Sequence, residues 1–230
     1  MQRVSAVIVA GGSSSRMGTN KLFLNIGGKS VLERSVALMQ NNALISEIVI
    51  ATKEESLAQV KELSKNYNKV TAVVKGGDNR FASTMNAIAA TDPDADYYAI
   101  HDAARPFASD ALVTRVIEAA FKEGAAAPAV PVTDTIKTAD NGVITNTPDR
   151  NRLFAVATPQ VFRASLYKAA AKGNTEAFDD CQLIERHGER VVLVEGERDN
   201  IKITTKEDIA RAKAIAGTNG MRIGHGYDVH

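Results

Sequence analysis

The segment Ala10-Gly11-Gly12-Ser13-Ser14-Ser15-Arg16-Met17-Gly18, with Lys21 just beyond it, carries the residue types that bind phosphate. Two adjacent glycines and three serines leave main-chain N–H groups unobstructed, so a triphosphate can approach the backbone closely. Arg16 and Lys21 supply the positive charge that several phosphate oxygens require. The continuous apolar run from Val4 to Ala10 reads as a buried strand that delivers this loop. An ordinary βα turn has no need of Arg and Lys at those places.

Two commoner glycine motifs do not account for the loop. Gly28-Lys29-Ser30 has the ending of a P-loop, but Phe23 stands where its first glycine belongs. It reads better as a tight turn before a helix capped by Ser30, with Glu33 completing a capping box. No G-x-G-x-x-G follows the first strand, so the dinucleotide fingerprint fails as well.

The elements that must position this chemistry alternate along the chain. Glu47 to Thr52, Val70 to Lys75, Tyr97 to Asp102, Ala125 to Val132 and Val191 to Glu195 read as strands. Val31 to Gln40, Ser56 to Tyr67, Phe81 to Ala90, Asp110 to Lys122 and Asp179 to His187 carry apolar residues at helical spacing. The pattern predicts an α/β fold, a Rossmann-like, mostly parallel sheet with helices on both faces. Ligands of such sheets sit at the carboxyl ends of the strands. Gly11-Gly12, Gly76-Gly77-Asp78 and His101-Asp102-Ala103-Ala104-Arg105-Pro106 all fall at strand ends, so three segments converge on one crevice.

Thr135 to Thr147 breaks the alternation, reading as two short strands around Asp140-Asn141-Gly142, a strong hairpin signal. The expectation is an inserted β-hairpin arm over about 133–149, carrying binding groups across a dimer interface. His101 is expected to end a buried strand, and no serine or cysteine nucleophile completes a triad with it. Asp179-Asp180 reads as the start of a helix, where acids favour the dipole, rather than as a metal pair. Thr204 and Glu207 read as a capping box that fixes the strand end presenting Lys202.

Composition bounds the function. At 230 residues and 44% hydrophobic content, the chain is long enough for one catalytic domain, expected over 1–216. A single cysteine, Cys181, excludes a disulfide within the chain. The absence of a signal peptide or bilayer-length apolar stretch leads to an expectation of a cytoplasmic protein with no membrane partner. A net charge of +1 argues against a nucleic-acid polymer as partner and leaves a single nucleotide compatible.

Seven motifs in order carry a family resemblance. They are Ala10-Gly11-Gly12 through Arg16-Met17 with Lys21; Gly76-Gly77-Asp78 with Arg80 and Ser83; His101 through Pro106; Asp134-Thr135-Ile136-Lys137; Asp149-Arg150-Asn151; Ala157-Thr158-Pro159-Gln160; and Asp199-Asn200-Ile201-Lys202. Together they closely resemble the 2-C-methyl-D-erythritol 4-phosphate cytidylyltransferases, from Val4 to about Ala216. The resemblance implies a nucleotidyltransferase-type fold, a homodimer, and transfer of CMP from CTP to methylerythritol phosphate with Mg²⁺ on the triphosphate. Catalysis then consists of charge neutralisation and alignment. It implies that Arg16 and Lys21 stabilise the α-phosphate and departing pyrophosphate, and that Arg150 and Lys202 hold the attacking phosphate in line. The base pocket is implied around Ala10, Gly11, Gly12, Gly77, Asp78 and Ser83. Asp102 is implied near the substrate diol or the metal, and Arg105, Thr135 and Thr158 complete the acceptor site, some of them donated by a neighbouring subunit.

After Ala216-Gly217-Thr218-Asn219-Gly220, which reads as a linker over 217–220, the residues 221–230 resemble the opening of 2-C-methyl-D-erythritol 2,4-cyclodiphosphate synthase. In that family the Asp-x-His matched by Asp228 and His230 binds Zn²⁺, so the resemblance implies a piece of a bifunctional enzyme, without a complete zinc site in this chain. Two rival readings remain: a cytidylyltransferase for another polyol phosphate such as ribitol 5-phosphate, and a non-catalytic nucleotide-binding subunit.

Overall fold

The structure, a computed structural model, describes residues 2–11, 20–174 and 176–218. In chain order the elements begin with β1 (Val4–Ala10), β2 (Asn25–Ile26), β3 (Lys29–Ser30), α1 (Val31–Asn41), β4 (Ile45–Thr52), α2 (Leu57–Ser64), β5 (Val70–Lys75), α3 (Arg80–Ile88) and β6 (Tyr97–Asp102). They continue with α4 (Asp110–Glu123), β7 (Ala125–Pro131), β8 (Thr138–Asp140), β9 (Val143–Asn146), β10 (Phe154–Val156), β11 (Gln160–Arg163), α5 (Ala164–Ala171), α6 (Asp180–Arg186), β12 (Val192–Glu195) and α7 (Lys206–Thr218).

β1 is buried at all seven positions, as a central parallel strand with both faces covered must be. It pairs in parallel with β4 on one side and β6 on the other, and β4 pairs in parallel with β5. The sheet order is β10-β7-β11-β6-β1-β4-β5, with β12 parallel to β7. Side-chain alternation along β1 then divides the core. Ala6 and Ile8 join one cluster with Leu32, Val36, Met39, Leu112 and Val116, while Val7 and Val9 join another with Phe81, Ile88, Tyr167 and Leu183. Helices α1, α2 and α4 thus cover one face and α3, α5 and α6 the other, as the sequence predicts.

Several helix ends follow local chemistry. Ser30 and Glu33 form the expected capping box at α1. Ser109 caps α4, which ends at Gly124 in the left-handed region (φ 89°). The hairpin of β8 and β9 turns on Asn141 and Gly142, both at positive φ (50° and 81°), the requirement of a tight two-residue loop. Both strands of this hairpin are exposed along their length.

The structure departs from the sequence expectations at five points. The sheet contains two antiparallel strands that the sequence reading passed over: β11 lies between β6 and β7, and β10 pairs with the far part of β7. They are four and three residues long and flank Pro159, too short for alternation to register. α5 was also passed over, because its buried face is Ala164, Ala170 and Ala171 around one Tyr167. The box at the start of α7 pairs Thr205 with Asp208, not Thr204 with Glu207. Asp208 Oδ2 accepts from the N–H groups of Thr204 and Thr205, and Thr205 Oγ1 accepts from the Asp208 N–H. Lys202 is therefore presented by an irregular segment between β12 and α7, not by a strand end. Finally, 217–218, expected as linker, belongs to α7; the rest of the proposed linker and residues 221–230, with Asp228 and His230, lie outside the described residues. No helix among the described residues is long and apolar enough to cross a membrane.

Candidate active site

The chain runs from β1 outward to β4 and β5, then returns to β6 on the other side of β1. That reversal opens a crevice beyond the carboxyl ends of β1 and β6, where open α/β sheets bind ligands. Ala10-Gly11 ends one strand and Asp102 the other. A cavity of about 530 Å³ fills the crevice, lined by Ala10, Gly11, Lys21, Gly77, Asp78 and Ser83 among others. These are the residues expected around the nucleotide, apart from Gly12 and Arg16, which lie outside the described residues.

The loop after β5 is held close to α3. Ser83 Oγ accepts from the Gly77 N–H at 3.0 Å and donates to the Asn79 carbonyl at 2.9 Å. A Cβ on Gly77 would stand 2.4 Å from Ala82 Cβ, so only glycine permits this approach. Asn79 caps α3 by accepting from the Ala82 N–H, and the cap fixes the direction in which the next side chain, Arg80, leaves the helix.

Arg80, which no local pattern assigns a role, is central to the site. Its Nε donates to Asp102 Oδ1 at 3.1 Å and its Nη1 to Asp180 Oδ2 at 2.6 Å. Asp180 is 1% exposed and accepts a second bond from Tyr167 Oη at 2.7 Å. The reading of Asp179-Asp180 as a helix start is borne out: Asp179 caps α6 by accepting from the Gln182 N–H, and Asp180 opens the helix. The Asp180 side chain also turns inward to anchor Arg80. No sequence pattern marks a pair one hundred positions apart; the buried Tyr167 and Asp180 meet only through the packing of α5 on α6.

Asp102 is the hub. Lys202 Nζ lies 2.8 Å from Oδ2, Arg105 Nε 3.9 Å from the same oxygen, and Arg80 holds the other. Burial by itself would raise the Asp102 carboxyl, but Arg80 and then Lys202 outweigh it and hold the group well below the usual carboxylate range. Lys21 Nζ donates to the Ile203 carbonyl at 2.9 Å, which ties the phosphate-loop lysine to the segment bearing Lys202. Arg105 Nη1 donates to the Asn200 carbonyl, and the Ile203 N–H bonds to the Ala104 carbonyl, so that segment is laced to the end of β6.

On the far side of the same cluster lies a smaller cavity of about 190 Å³, lined by Arg80, Asp102, Arg105, Thr158, Gln160, Phe178 and Lys202 among others. The two cavities share Arg80, Asp102 and Lys202 as a common wall. Thr158, expected as a substrate ligand, has its hydroxyl already engaged beneath this wall. It accepts from the Asp102 N–H and faces His101 Nδ1, both at 3.0 Å, and His101 Nε2 faces the Arg105 carbonyl at 3.1 Å. Burial favours the neutral imidazole, and in that form Nε2–H donates to the carbonyl while Thr158 donates to Nδ1. The structure thus gives Thr158 the work of orienting Asp102 and His101. Arg150 and Thr135 are exposed and line neither cavity; Arg150 Nη1 bonds to the Thr133 carbonyl near the base of the hairpin.

An α/β sheet with a glycine-lined crevice at its switch point and a cationic wall shared by two cavities defines a nucleotidyltransferase-type protein. A family model described as 2-C-methyl-D-erythritol 4-phosphate cytidylyltransferase matches residues 4–218, and the chain belongs to that family. A curated member from Caldanaerobacter subterraneus subsp. tengcongensis is 46% identical over 220 residues, covering 91% of this chain and 97% of its own. A protein named bifunctional enzyme IspD/IspF, from Anaeromyxobacter dehalogenans, is 38% identical; it covers all of this chain, which spans 61% of that protein. Among solved structures, 4-diphosphocytidyl-2C-methyl-D-erythritol synthase from Anaerococcus prevotii superposes with a TM-score of 0.84 at 32% identity, covering 94% of this chain and 96% of its own.

The buried imidazole yields a pH prediction. Burial is the largest influence on His101 and pushes it down to about 4, below the ordinary 6.5. Between those values the unfolded chain binds a proton there that the folded chain does not. This contribution to stability is therefore complete above pH 6.5 and is lost as pH falls toward 4. NMR titration should find His101 neutral at pH 5.5, with the unfolding midpoint in urea falling from pH 7 to 5 less steeply in His101→Gln than in the wild type. A His101 midpoint near 6.5 would contradict the proton arrangement.

Proposed function

We propose that this chain transfers CMP from CTP to the phosphate of 2-C-methyl-D-erythritol 4-phosphate and releases pyrophosphate. The observation that carries this reading is the wall shared by the two cavities. The larger cavity has the size and the exposed backbone for a nucleoside triphosphate, and its charged lining is four cations, Lys21, Lys53, Arg80 and Lys202, to two acids, Asp78 and Asp102. The smaller cavity is polar and suits a phosphorylated polyol. An acceptor phosphate oxygen and the donor α-phosphorus would then meet at Asp102, Arg80 and Lys202. A P–O bond forms there as the bond from the α-phosphorus to the bridging oxygen breaks, and pyrophosphate leaves with that electron pair.

Two anions repel as they approach, so the work of this chain is to neutralise and align them. Lys202 faces the junction from the acceptor side and Lys21 from the triphosphate side, with Arg16 as the second cation of the loop. Asp102 keeps Lys202 and Arg80 in register. The donor set fits a magnesium ion carried in on the triphosphate: both Asp102 oxygens face cations, and no cluster of three acidic, His or Cys side chains stands together among the described residues. Phosphate oxygens and water would supply most ligands of that ion, whose chemistry when bound is charge neutralisation on the triphosphate.

We further propose that the β8–β9 arm reaches a second copy of the chain. Its exposed Ile136, Val143 and Ile144 would find cover there, and Thr135 and Arg150 would complete the partner's acceptor cavity. The likeness of the whole chain to bifunctional relatives also supports reading 221–230 as the opening of a cyclodiphosphate synthase segment, with Asp228 and His230 as zinc ligands.

Pyrophosphate release assayed with CTP, UTP and ATP against methylerythritol phosphate and ribitol 5-phosphate tests the reading: turnover should be highest with CTP and methylerythritol phosphate. Lys21→Ala should lower that turnover by roughly two to three powers of ten, the scale for one lost donor at developing charge, with a smaller change in KM for CTP. Near-normal turnover of Lys21→Ala would remove it from the catalytic set. For the arm, replacing Lys137 to Thr145 by a short glycine link should give a monomer by light scattering and a raised KM for the acceptor. A deletion variant that stays dimeric and fully active would make the hairpin a surface excursion only.

A further inference from the structure

Phe178 is 91% exposed, the most exposed large apolar side chain among the described residues, yet it stands in the wall of the smaller cavity. Its backbone is not loose. The Phe178 N–H donates to Gln182 Oε1 at 3.1 Å, and the next residue, Asp179, both caps α6 and accepts from Gln160 Nε2 at 3.0 Å. The backbone that carries this aromatic ring is therefore anchored beside a site whose other named walls are mostly charged or polar. Val156 and Ala157 are the remaining apolar lining.

Methylerythritol phosphate differs from an unbranched tetritol phosphate by one methyl group on its carbon chain. Arg80, Arg105, Lys202 and Asp102 offer charge and hydrogen bonds to a phosphate and hydroxyls, but none of them gains from a methyl group. Phe178, with Val156 and Ala157, is the surface that does. We propose that Phe178 is a specificity-determining residue: its ring covers the methyl branch of the acceptor and is itself covered when the acceptor binds. This rests on the cytidylyltransferase reading above and adds to it the residue that separates the branched acceptor from its unbranched analogue.

A single methyl or methylene against an apolar wall discriminates by roughly 10- to 200-fold. The test compares kcat/KM for 2-C-methyl-D-erythritol 4-phosphate and D-erythritol 4-phosphate, with CTP saturating, in the wild type, Phe178→Leu and Phe178→Ala. In Phe178→Ala the preference for the methylated acceptor should fall about tenfold or more, through a raised KM for that acceptor alone, with Phe178→Leu between. Because the side chain is exposed, truncation leaves the core untouched, and matched thermal midpoints would confirm it. An unchanged preference, or equal losses with both acceptors, would overturn the role of Phe178. Absence of turnover by the wild type with methylerythritol phosphate would instead overturn the underlying reading, and with it this one.

Discussion

The carboxylate of Asp102, buried at the end of a central strand and surrounded by three cations, is the interaction on which the rest of the site depends. Arg80 comes from α3, Arg105 from the turn after β6 and Lys202 from the segment before α7, and among the described residues Asp102 is the acid on which all three converge. Removing the buried carboxylate would cost on the order of 3–5 kcal/mol, because Arg80 and Arg105 would keep their charge and lose its compensation. The surplus of positive charge that remains facing the crevice is what an incoming pair of phosphates would complete. Stability and function therefore pull on the same atoms: Asp102, with Asp180 behind Arg80, holds the cluster, and anionic ligands would balance the positive charge that remains.

Layers of support stand behind that carboxylate. Above it, Asp180 and Tyr167 pin Arg80 from the helical layer; beneath it, Thr158 and neutral His101 fix the backbone at Asp102. The parallel pairing of β1 with β6 then sets Asp102 opposite Val9, one residue before Ala10-Gly11. Acceptor and donor cavities are thus placed by backbone register rather than by flexible side chains, which suits chemistry that consists of alignment.

The sheet, its central strands and the glycine-lined crevice were legible in the sequence because each rests on local signals: unbroken apolar runs, helical spacing, the cap at Ser30, and the Asn141-Gly142 turn. The motif residues Lys21, Asp78, Ser83, Asp102 and Lys202 indeed line one cavity. What stayed hidden depends on distant pairing. β10 and β11 are too short to show a period, and α5 buries alanines, which carry little apolar contrast. The anchoring of Arg80 by Asp180 exists only once α5 and α6 pack together. Thr158 is marked as a site residue by the family motif alone, and its hydroxyl bonds to His101 and Asp102 depend on pairing across more than fifty positions. The capping box at α7 slipped by one residue because Thr204 and Thr205, like Glu207 and Asp208, offer the same chemistry in adjacent positions.

The central claim, that Asp102, Arg80 and Lys202 form the wall at which donor and acceptor phosphates meet, is tested most directly by a crystal structure with a non-hydrolysable CTP analogue and methylerythritol phosphate bound together. The account places the triphosphate in the larger cavity and the acceptor phosphate in the smaller one. The attacking oxygen should lie about 3–3.5 Å from the α-phosphorus, in line with the leaving group, with Lys202 and Arg80 still bound to Asp102. An acceptor phosphate lodged elsewhere, or a cluster broken apart by the ligands, would contradict it.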